Sequence, residues 1–321
     1  MSSGPALKEI ARSGIIAPMT SANFRPQIPP LVSPSAIELF PRDMTAIVAA
    51  DVSLHVLQNK LAVIGQWLPI DGDPGRPLGE LVEMNSTGPL RLGYGAWRDL
   101  LLGCQFTNGR DELITAGGRA YKNVAGYDVT KLMVGQQGHF GTIRSITTRT
   151  YKRPECAIIV EFAVESGLVN RLLSSACKPQ WMILSDGGLL AGFLGDERKI
   201  DHIDGAIAEF SPIDIRRVEP SEEQVKRQGL WESSSDGTGI DFRASVPPSC
   251  VLNFAENAKL TGWVADAAFG IVRGHCPEEQ WEFVREAAKG VGGGAWGIER
   301  TESSNDFASN VVLQRLKESF E

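Results

Sequence analysis

The chain has 321 residues, of which 42% are apolar and 22% are charged, as is usual for a globular protein. Its net charge is −7 and its basic residues are scattered, which argues against a nucleic-acid-binding surface. No apolar stretch approaches the ~20 residues that span a bilayer, and residues 1–10 lack the features of a signal peptide. We therefore expect a cytoplasmic protein without a direct membrane span, whose only route to a membrane is through partners.

The elements predicted for the first 154 residues are short strands separated by loops rich in glycine and proline. Alternating β-branched residues predict strands over 45–50 and 145–148. Leucines at helical spacing, between a serine cap and a glycine stop, predict a helix over 53–64. A second helix is predicted over 128–134, with Asp128 as its N-cap.

After Pro154 the pattern changes to strand, helix, strand, strand, an order typical of an α+β domain. The predicted elements are strands over 157–162, 181–185 and 189–194, a helix over 169–176, and a further strand and helix over 263–272 and 278–289. We interpret residues 155–321 as a separate cap domain of ordinary size.

The most informative segment is residues 117–143, which hold six glycines in 27 residues. Glycine at this density is typical of tight loop crossings or of a backbone that approaches a ligand, and the two alternatives stay open here. The spacing of Gly135, Gly138 and Gly141 resembles a dinucleotide fingerprint. However, alternating β-branched residues follow over 142–150 and predict a strand where that fingerprint requires a helix. A Rossmann-type NAD site is therefore excluded.

The same segment resembles the flavoproteins related to vanillyl-alcohol oxidase and p-cresol methylhydroxylase (PCMH), and within them the FAD-binding subunit of bacterial glycolate oxidase. The resemblance covers roughly residues 10–155. It is carried by Lys122-Asn123-Val124-Ala125-Gly126-Tyr127-Asp128, by Lys131-Leu132-Met133, by Gly138-x-x-Gly141, and upstream by Asn85-Ser86-Thr87-Gly88-Pro89. It implies an α+β fold with a two-lobed, PCMH-type FAD-binding domain over 1–154, followed by the cap domain.

By this resemblance the cofactor is non-covalent FAD. The residues assigned to it are Pro18, Thr20, Ser21, Asn85, Ser86, Gly88, Lys122, Tyr127, Gly138, Gly141, Thr142 and Ile143. Thr142 and Ile143 would lie near the adenine and ribose, whereas Ser86, Gly88 and Tyr127 would lie nearer the flavin ring. The implied partners are a second FAD subunit and an iron–sulfur subunit, and the implied substrate is a small 2-hydroxy acid.

The chain departs from this family in its expected pyrophosphate loop. Residues 18–25 lack the three consecutive glycines found there in the family, and Glu80 replaces a glycine that would lie near the phosphates. The chain also begins late and ends early relative to the family, which we interpret as a shortened first lobe and a trimmed end. Two readings follow: a working flavoprotein subunit that oxidises a 2-hydroxy acid, and a degenerate relative that keeps the fold and partner surface but binds FAD weakly or not at all.

No catalytic side chain is identified from the sequence. Arg91 and Arg98 are candidates to clamp a substrate carboxylate, although ion pairing of Arg98 with Asp99 is an equal alternative. His139 lies within the glycine run, but a loop histidine facing water is the commoner case. His275 stands beside Cys276, yet one pair without further ligands does not predict a metal site. Because the five cysteines include no Cys-x-x-Cys pair, we also expect no iron–sulfur cluster built by this chain alone.

Overall fold

The computed structural model describes residues 37–118, 129–165, 167–231 and 239–298. Two antiparallel sheets organise these residues, and we refer to 37–153 as the N-terminal half and to 154–298 as the C-terminal half. No helix among the described residues is long and apolar enough to cross a membrane.

The N-terminal half contains a five-stranded sheet flanked by short helices. Its elements are β1 (Ile37–Phe40), β2 (Thr45–Ala49), α1 (Leu54–Ala62), β3 (Gln66–Trp67), α2 (Leu78–Glu83), α3 (Arg91–Tyr94), α4 (Trp97–Leu100), β4 (Leu101–Thr107), β5 (Leu113–Gly117), α5 (Val129–Leu132), β6 (Thr142–Arg149) and β7 (Tyr151–Lys152). The sheet has the order β1-β2-β6-β4-β5, and β3 pairs separately with β7. The leucines that predicted α1, including Leu54, Leu57 and Leu61, are buried in the core of this half.

The C-terminal half is built on an eight-stranded antiparallel sheet. Its elements are β8 (Cys156–Phe162), α6 (Leu168–Ser174), β9 (Trp181–Ser185), β10 (Gly188–Gly195), α7 (Glu197–Ile207), β11 (Asp214–Val218), α8 (Pro220–Trp231), β12 (Ile240–Ser245), α9 (Val251–Asn257), β13 (Val264–Asp266), β14 (Ile271–Cys276), α10 (Trp281–Gly290) and β15 (Gly294–Gly297). The sheet has the order β11-β8-β10-β9-β13-β14-β12-β15.

The two faces of the eight-stranded sheet pack against different neighbours. One face holds the core of the C-terminal half, together with apolar residues of helices α6, α7, α9 and α10. The other face carries Trp181, Ile183 and Val264, which pack with Trp231 of α8 and with Leu90 of the N-terminal half. We call this second side the inner face of the sheet, because it meets the N-terminal half.

The structure corrects one predicted element and adds several. The strand predicted over 263–272 is two strands, β13 and β14, joined by a tight turn in which Gly270 has a φ of +65°. The sequence reading missed α7, α8, α9 and the strands β11, β12 and β15. Asp128, the N-cap predicted for the helix over 128–134, lies outside the described residues, and among the described residues the helix covers Val129–Leu132.

Candidate functional site

Two segments predicted to contact the cofactor lie side by side in the N-terminal half. The backbone N–H of Gly135 donates to the carbonyl of Val82 at 2.9 Å, and that of Gln137 donates to Glu83 at 3.1 Å. These bonds join the glycine loop over 135–141 to the end of helix α2. A Cβ on Gly135 would lie 3.3 Å from the Cβ of Asn85, so the loop adjoins the segment 85–88.

Asn85 and Ser86 end helix α2 in a left-handed turn. Asn85 has a φ of +49°, and its N–H donates to Val82 O at 3.0 Å. The N–H of Ser86 donates to Leu81 O at 2.8 Å. This arrangement satisfies the last carbonyls of the helix, as asparagine in a left-handed conformation commonly does. The segment therefore leaves α2 in one fixed direction, toward Gly88.

The glycines of the site serve two different purposes. A Cβ on Gly88 would lie 2.5 Å from the Cβ of Asp71, and a Cβ on Gly141, whose φ is +135°, would lie 2.3 Å from Thr107 O. These two positions require glycine because the chain crosses itself closely. Gly138 also has a positive φ, +78°, but no heavy atom lies within 4 Å of its Cβ position. Gly138, like Gly118 in the described part of the glycine-rich segment, therefore has open space beside it that a ligand could occupy.

A buried glutamine that the sequence reading missed holds the glycine loop. The side chain of Gln136 accepts a hydrogen bond from the N–H of Phe140 at 2.8 Å and donates one to the carbonyl of Gly141 at 2.9 Å. Gln136 is 1% exposed. A loop closed by its own buried amide is rigid before any ligand arrives, which favours binding.

Alanine substitutions at Gly138 and Gly141 are expected to separate strain from steric overlap. Gly138→Ala should lower the free energy of unfolding by about 1 kcal/mol, because an L-residue is disfavoured at positive φ. Gly141→Ala should cost about 2 kcal/mol more, since its Cβ would also overlap the Thr107 carbonyl. Urea unfolding of the two variants measures this difference. Equal losses would show that the close approach at Gly141 relaxes freely.

Ile143 and Thr142 occupy the start of strand β6 in different ways. The Ile143 side chain is buried in the core, whereas Thr142 is exposed. The backbone N–H of Ile143 donates to the carboxylate of Glu83, with 3.2 Å between N and Oε1. Burial raises the pKa of Glu83. An amide that the resemblance assigned to the adenine and ribose is therefore engaged by a carboxylate of the chain itself.

Glu80, expected to repel the cofactor phosphates, is ion-paired with Arg76 one turn earlier. Both side chains are about two-fifths exposed, so the pair is a surface feature. Five predicted cofactor residues, Pro18, Thr20, Ser21, Lys122 and Tyr127, lie outside the described residues. The glycine-poor segment 18–25 lies there as well.

A narrow cleft lies beside Gly88, between the two halves of the molecule, and its walls stand too close together to admit a water molecule. It is lined by Thr87, Gly88, Arg91, Trp231, Arg243, Asp266 and Ile271. Strand register explains why charged residues meet there. Arg273 pairs with Val264 on one side and with Arg243 on the other, and side chains of paired residues share a face. Because Val264 packs on the inner face, both arginines point to that face as well.

Arg91 and Asp266 form an ion pair across the cleft. Arg91 Nε lies 3.0 Å from Asp266 Oδ2, and Asp266 is 1% exposed. The Arg91 guanidinium also stacks on Phe269, 3.9 Å from the ring centroid. Burial raises the pKa of Asp266 to about 6, although Arg91 opposes this effect. The pair fixes Arg91, which belongs to the N-terminal half, against the turn between β13 and β14.

Arg243 brings further positive charge to the mouth of the cleft. It lies directly opposite Arg273 in the β12–β14 pairing. Desolvation, and then the charges of Arg91 and Arg273, lower the pKa of Arg243. Like charges placed directly opposite each other on a sheet are destabilising. Three guanidinium groups gathered near one carboxylate, in a chain of net charge −7, are therefore suited to receive an anion.

Most other candidate side chains have structural roles. Asp99 accepts a hydrogen bond from the N–H of Ala96 at 2.9 Å, which places it at a helix cap. Tyr94 is packed edge-on against Trp67 and Tyr151. His275 pairs with Asp241, 2.9 Å away, and the described residues contain no cluster of three or more side chains suited to hold a metal ion.

Comparisons with known proteins give partial matches, and no protein-family model matches the chain. A 117-residue segment is 31% identical to the mitochondrial D-lactate dehydrogenase [cytochrome] of Arabidopsis thaliana, covering 36% of this chain and 21% of that protein. A 122-residue segment is 30% identical to the glycolate oxidase subunit GlcE of Escherichia coli, covering 37% of this chain and 35% of that subunit. A 167-residue segment is 25% identical to an uncharacterized FAD-linked oxidoreductase of Mycobacterium tuberculosis, covering 50% of this chain and 36% of that protein. The matched segments thus span about a fifth to a third of these relatives.

The solved structures extend the likeness to the whole fold. An alkyldihydroxyacetonephosphate synthase structure superimposes with a TM-score of 0.66 and 14% identity, covering 90% of this chain and 65% of the synthase. This match confirms the α+β, PCMH-type fold predicted from the sequence. The sequence matches confirm the resemblance to glycolate oxidase flavoproteins.

Proposed function

We propose that this chain is the FAD-binding subunit of an enzyme complex that oxidises a small 2-hydroxy acid. The observation that carries the proposal is the group of arginines gathered beside Gly88, in a chain whose relatives are named as FAD-linked oxidoreductases, glycolate oxidase subunits and D-lactate dehydrogenases. When bound, FAD would accept the hydride from the substrate α-carbon. The open space at Gly138 and the fixed segment 85–88 fit one wall of such a cofactor site.

The residues of the cleft suit the carboxylate of a 2-hydroxy acid. Arg91 is held at a fixed position by Asp266, and Arg243 adds a second guanidinium on the facing sheet. Guanidinium groups bind carboxylates through paired, charge-assisted hydrogen bonds. The walls of the cleft must move apart to admit a carboxylate, which would then lie beside Gly88, with its neighbouring α-carbon at the wall of the proposed flavin site. These residues bind and orient the substrate, and they exclude water from one side of it.

The assembly of the complex is part of the same proposal. Glycolate oxidase relatives are named as subunits, which supports a multi-subunit assembly. We propose that a second FAD subunit and an iron–sulfur subunit complete it, in the cytoplasm and with any membrane contact made through those partners. We further propose that the two halves correspond to a FAD-binding domain over 1–154 and a cap domain over 155–321.

The second reading, a degenerate relative with little FAD affinity, is favoured by one contact. The Glu83 carboxylate occupies the N–H of Ile143, where the resemblance expects the adenine and ribose. A negative charge at that place opposes a phosphate-bearing ligand as well. The two readings differ in whether FAD displaces this contact.

Titration with FAD tests the proposed function. The purified chain is expected to be yellow, to release flavin on denaturation and to take up added FAD after stripping. Glu83→Ala is expected to strengthen FAD binding, whereas Glu38→Ala, at an exposed residue of β1, should leave it unchanged. Colourless wild-type protein that takes up no FAD would refute a working flavoprotein. If Glu83→Ala then acquires FAD binding, the degenerate reading is supported.

A further inference from the structure

A buried ionic cluster joins the two halves beneath the cleft. Arg227 of helix α8 donates from Nε to Glu223 Oε1 at 2.7 Å, and its Nη1 donates to Asp71 Oδ1 in the N-terminal half. The three side chains are between 2% and 6% exposed. Burying such a cluster removes three charges from water, and apolar residues of similar volume often stabilise a fold as well or better. Stability alone is thus a weak reason for its presence.

On one side the cluster supports the turn that forms a wall of the cleft. Asp71 Oδ2 accepts a hydrogen bond from the N–H of Leu90 at 2.7 Å. The same carboxyl group lies directly beneath Gly88, where a Cβ would come within 2.7 Å of Oδ2. The turn over 88–90 leads straight into α3, which carries Arg91. The position of Asp71 therefore sets the position of both Gly88 and Arg91.

On the other side the cluster fixes the last turn of helix α8. Trp231 ends that helix one turn after Arg227, and it lines the cleft. Arg273 donates from Nη1 to the carbonyl of Trp231 at 3.0 Å, and its guanidinium lies 5.3 Å from the Trp231 ring centroid. The placement of α8 therefore sets where Trp231 and Arg273 stand on the inner face.

We infer that Arg227 is a positioning residue of the cleft, which holds the turn over 88–90 and the Trp231–Arg273 wall at a fixed separation. It acts on one wall through Asp71 and on the other through helix α8. Arg227 and Asp71 are 156 positions apart in sequence, so no single helix, strand or turn can fix the separation of the two walls. The kinetic consequence rests on the proposed function, whereas the structural coupling does not.

Hydrogen exchange of two arginine variants tests the inference in the full chain. Arg227→Met removes the charge that joins Asp71 to α8, and Arg217→Met is the matched control, since Arg217 makes an exposed ion pair with Asp201. In Arg227→Met, amides of residues 88, 90–94 and 228–231 are expected to exchange about tenfold faster, beyond any increase that they share with β4, β6, β8 and β10 through lower global stability. The control should match the wild type.

Arg227→Lys provides a second variant in case the methionine variant fails to fold. Lysine keeps the charge but lacks the planar fork that holds two carboxylates, so exchange at Leu90 should rise about threefold. If the wild type oxidises a 2-hydroxy acid, the KM of Arg227→Lys should exceed that of the wild type by a similar factor, with kcat little changed.

Two results would overturn the inference. One is faster exchange confined to α8, with the turn over 88–90 unaffected. The other is a uniform increase across both sheets, which a purely stabilising role predicts. A wild type without FAD or activity would refute the proposed function, but the exchange pattern would still decide the role of Arg227.

Discussion

Arg243→Met is expected to raise the KM for a 2-hydroxy acid by roughly 10- to 150-fold, with a much smaller change in kcat. A hydrogen bond to a charged group contributes about 1.5–3 kcal/mol, and each 1.4 kcal/mol corresponds to about tenfold in affinity. The lost binding energy raises KM rather than lowering kcat, because a carboxylate remote from the reacting bond is bound equally in the ground state and the transition state. Initial-rate kinetics of the assembled complex measure both constants.

The same substitution is expected to leave the fold intact, which makes the kinetic result interpretable. Arg243 lies opposite Arg273, so its removal relieves a repulsion between like charges. Arg243→Lys should give an intermediate KM, because lysine keeps the charge without the bidentate geometry. Arg217→Met, at an exposed arginine of the same sheet, should behave as the wild type. An unchanged KM in Arg243→Met would move the carboxylate site away from this cleft.

The local geometry of the proposed cofactor segments was largely predictable because its signals are local. Backbone with a positive φ, or in close contact with another strand, favours asparagine or glycine. The sequence has these residue types at Asn85, Gly138 and Gly141. The sequence reading treated loop crossing and ligand cradle as alternatives. In the structure Gly141 serves the crossing, whereas Gly138 faces open space. Residue type alone cannot separate these uses, because the neighbouring atom at Gly141 comes from Thr107, on another strand.

The arginine group of the proposed substrate cleft was not predictable because it depends on pairings distant in sequence. Arg91 and Asp266 are 175 positions apart, and nothing near either residue indicates the other. The convergence of Arg243 and Arg273 depends on the register of β12 and β14, and a shift of one residue would turn one of them to the opposite face. Helix α8 was missed for a related reason. Its buried residues include Glu223 and Arg227, so it lacks the apolar stripe by which a helix is normally identified.

Asp266→Asn is expected to change how stability depends on pH. Burial raises the pKa of Asp266 from 3.8 to about 6 in the folded chain. Between these values the folded state binds more protons than the unfolded state, so the free energy of unfolding falls as pH rises. This fall in the free energy of unfolding is complete above pH ~6. It amounts to about 3 kcal/mol, at about 1.4 kcal/mol for each pH unit between the two pKa values. Asparagine does not ionise, so this component should be missing from the variant.

The measurement is the free energy of unfolding in urea at several pH values from about 4 to 7, for wild type and variant. Arg91 and Arg243 face Asp266 from α3 and β12, and arginine side chains in proteins do not lose their proton at these pH values. The difference between the two curves therefore reports Asp266 itself. Asp204→Asn, at an exposed position of α7, should give a curve parallel to the wild type. If the Asp266→Asn curve is also parallel, then Asp266 is ionised at its ordinary pKa and Arg91 fully compensates its burial.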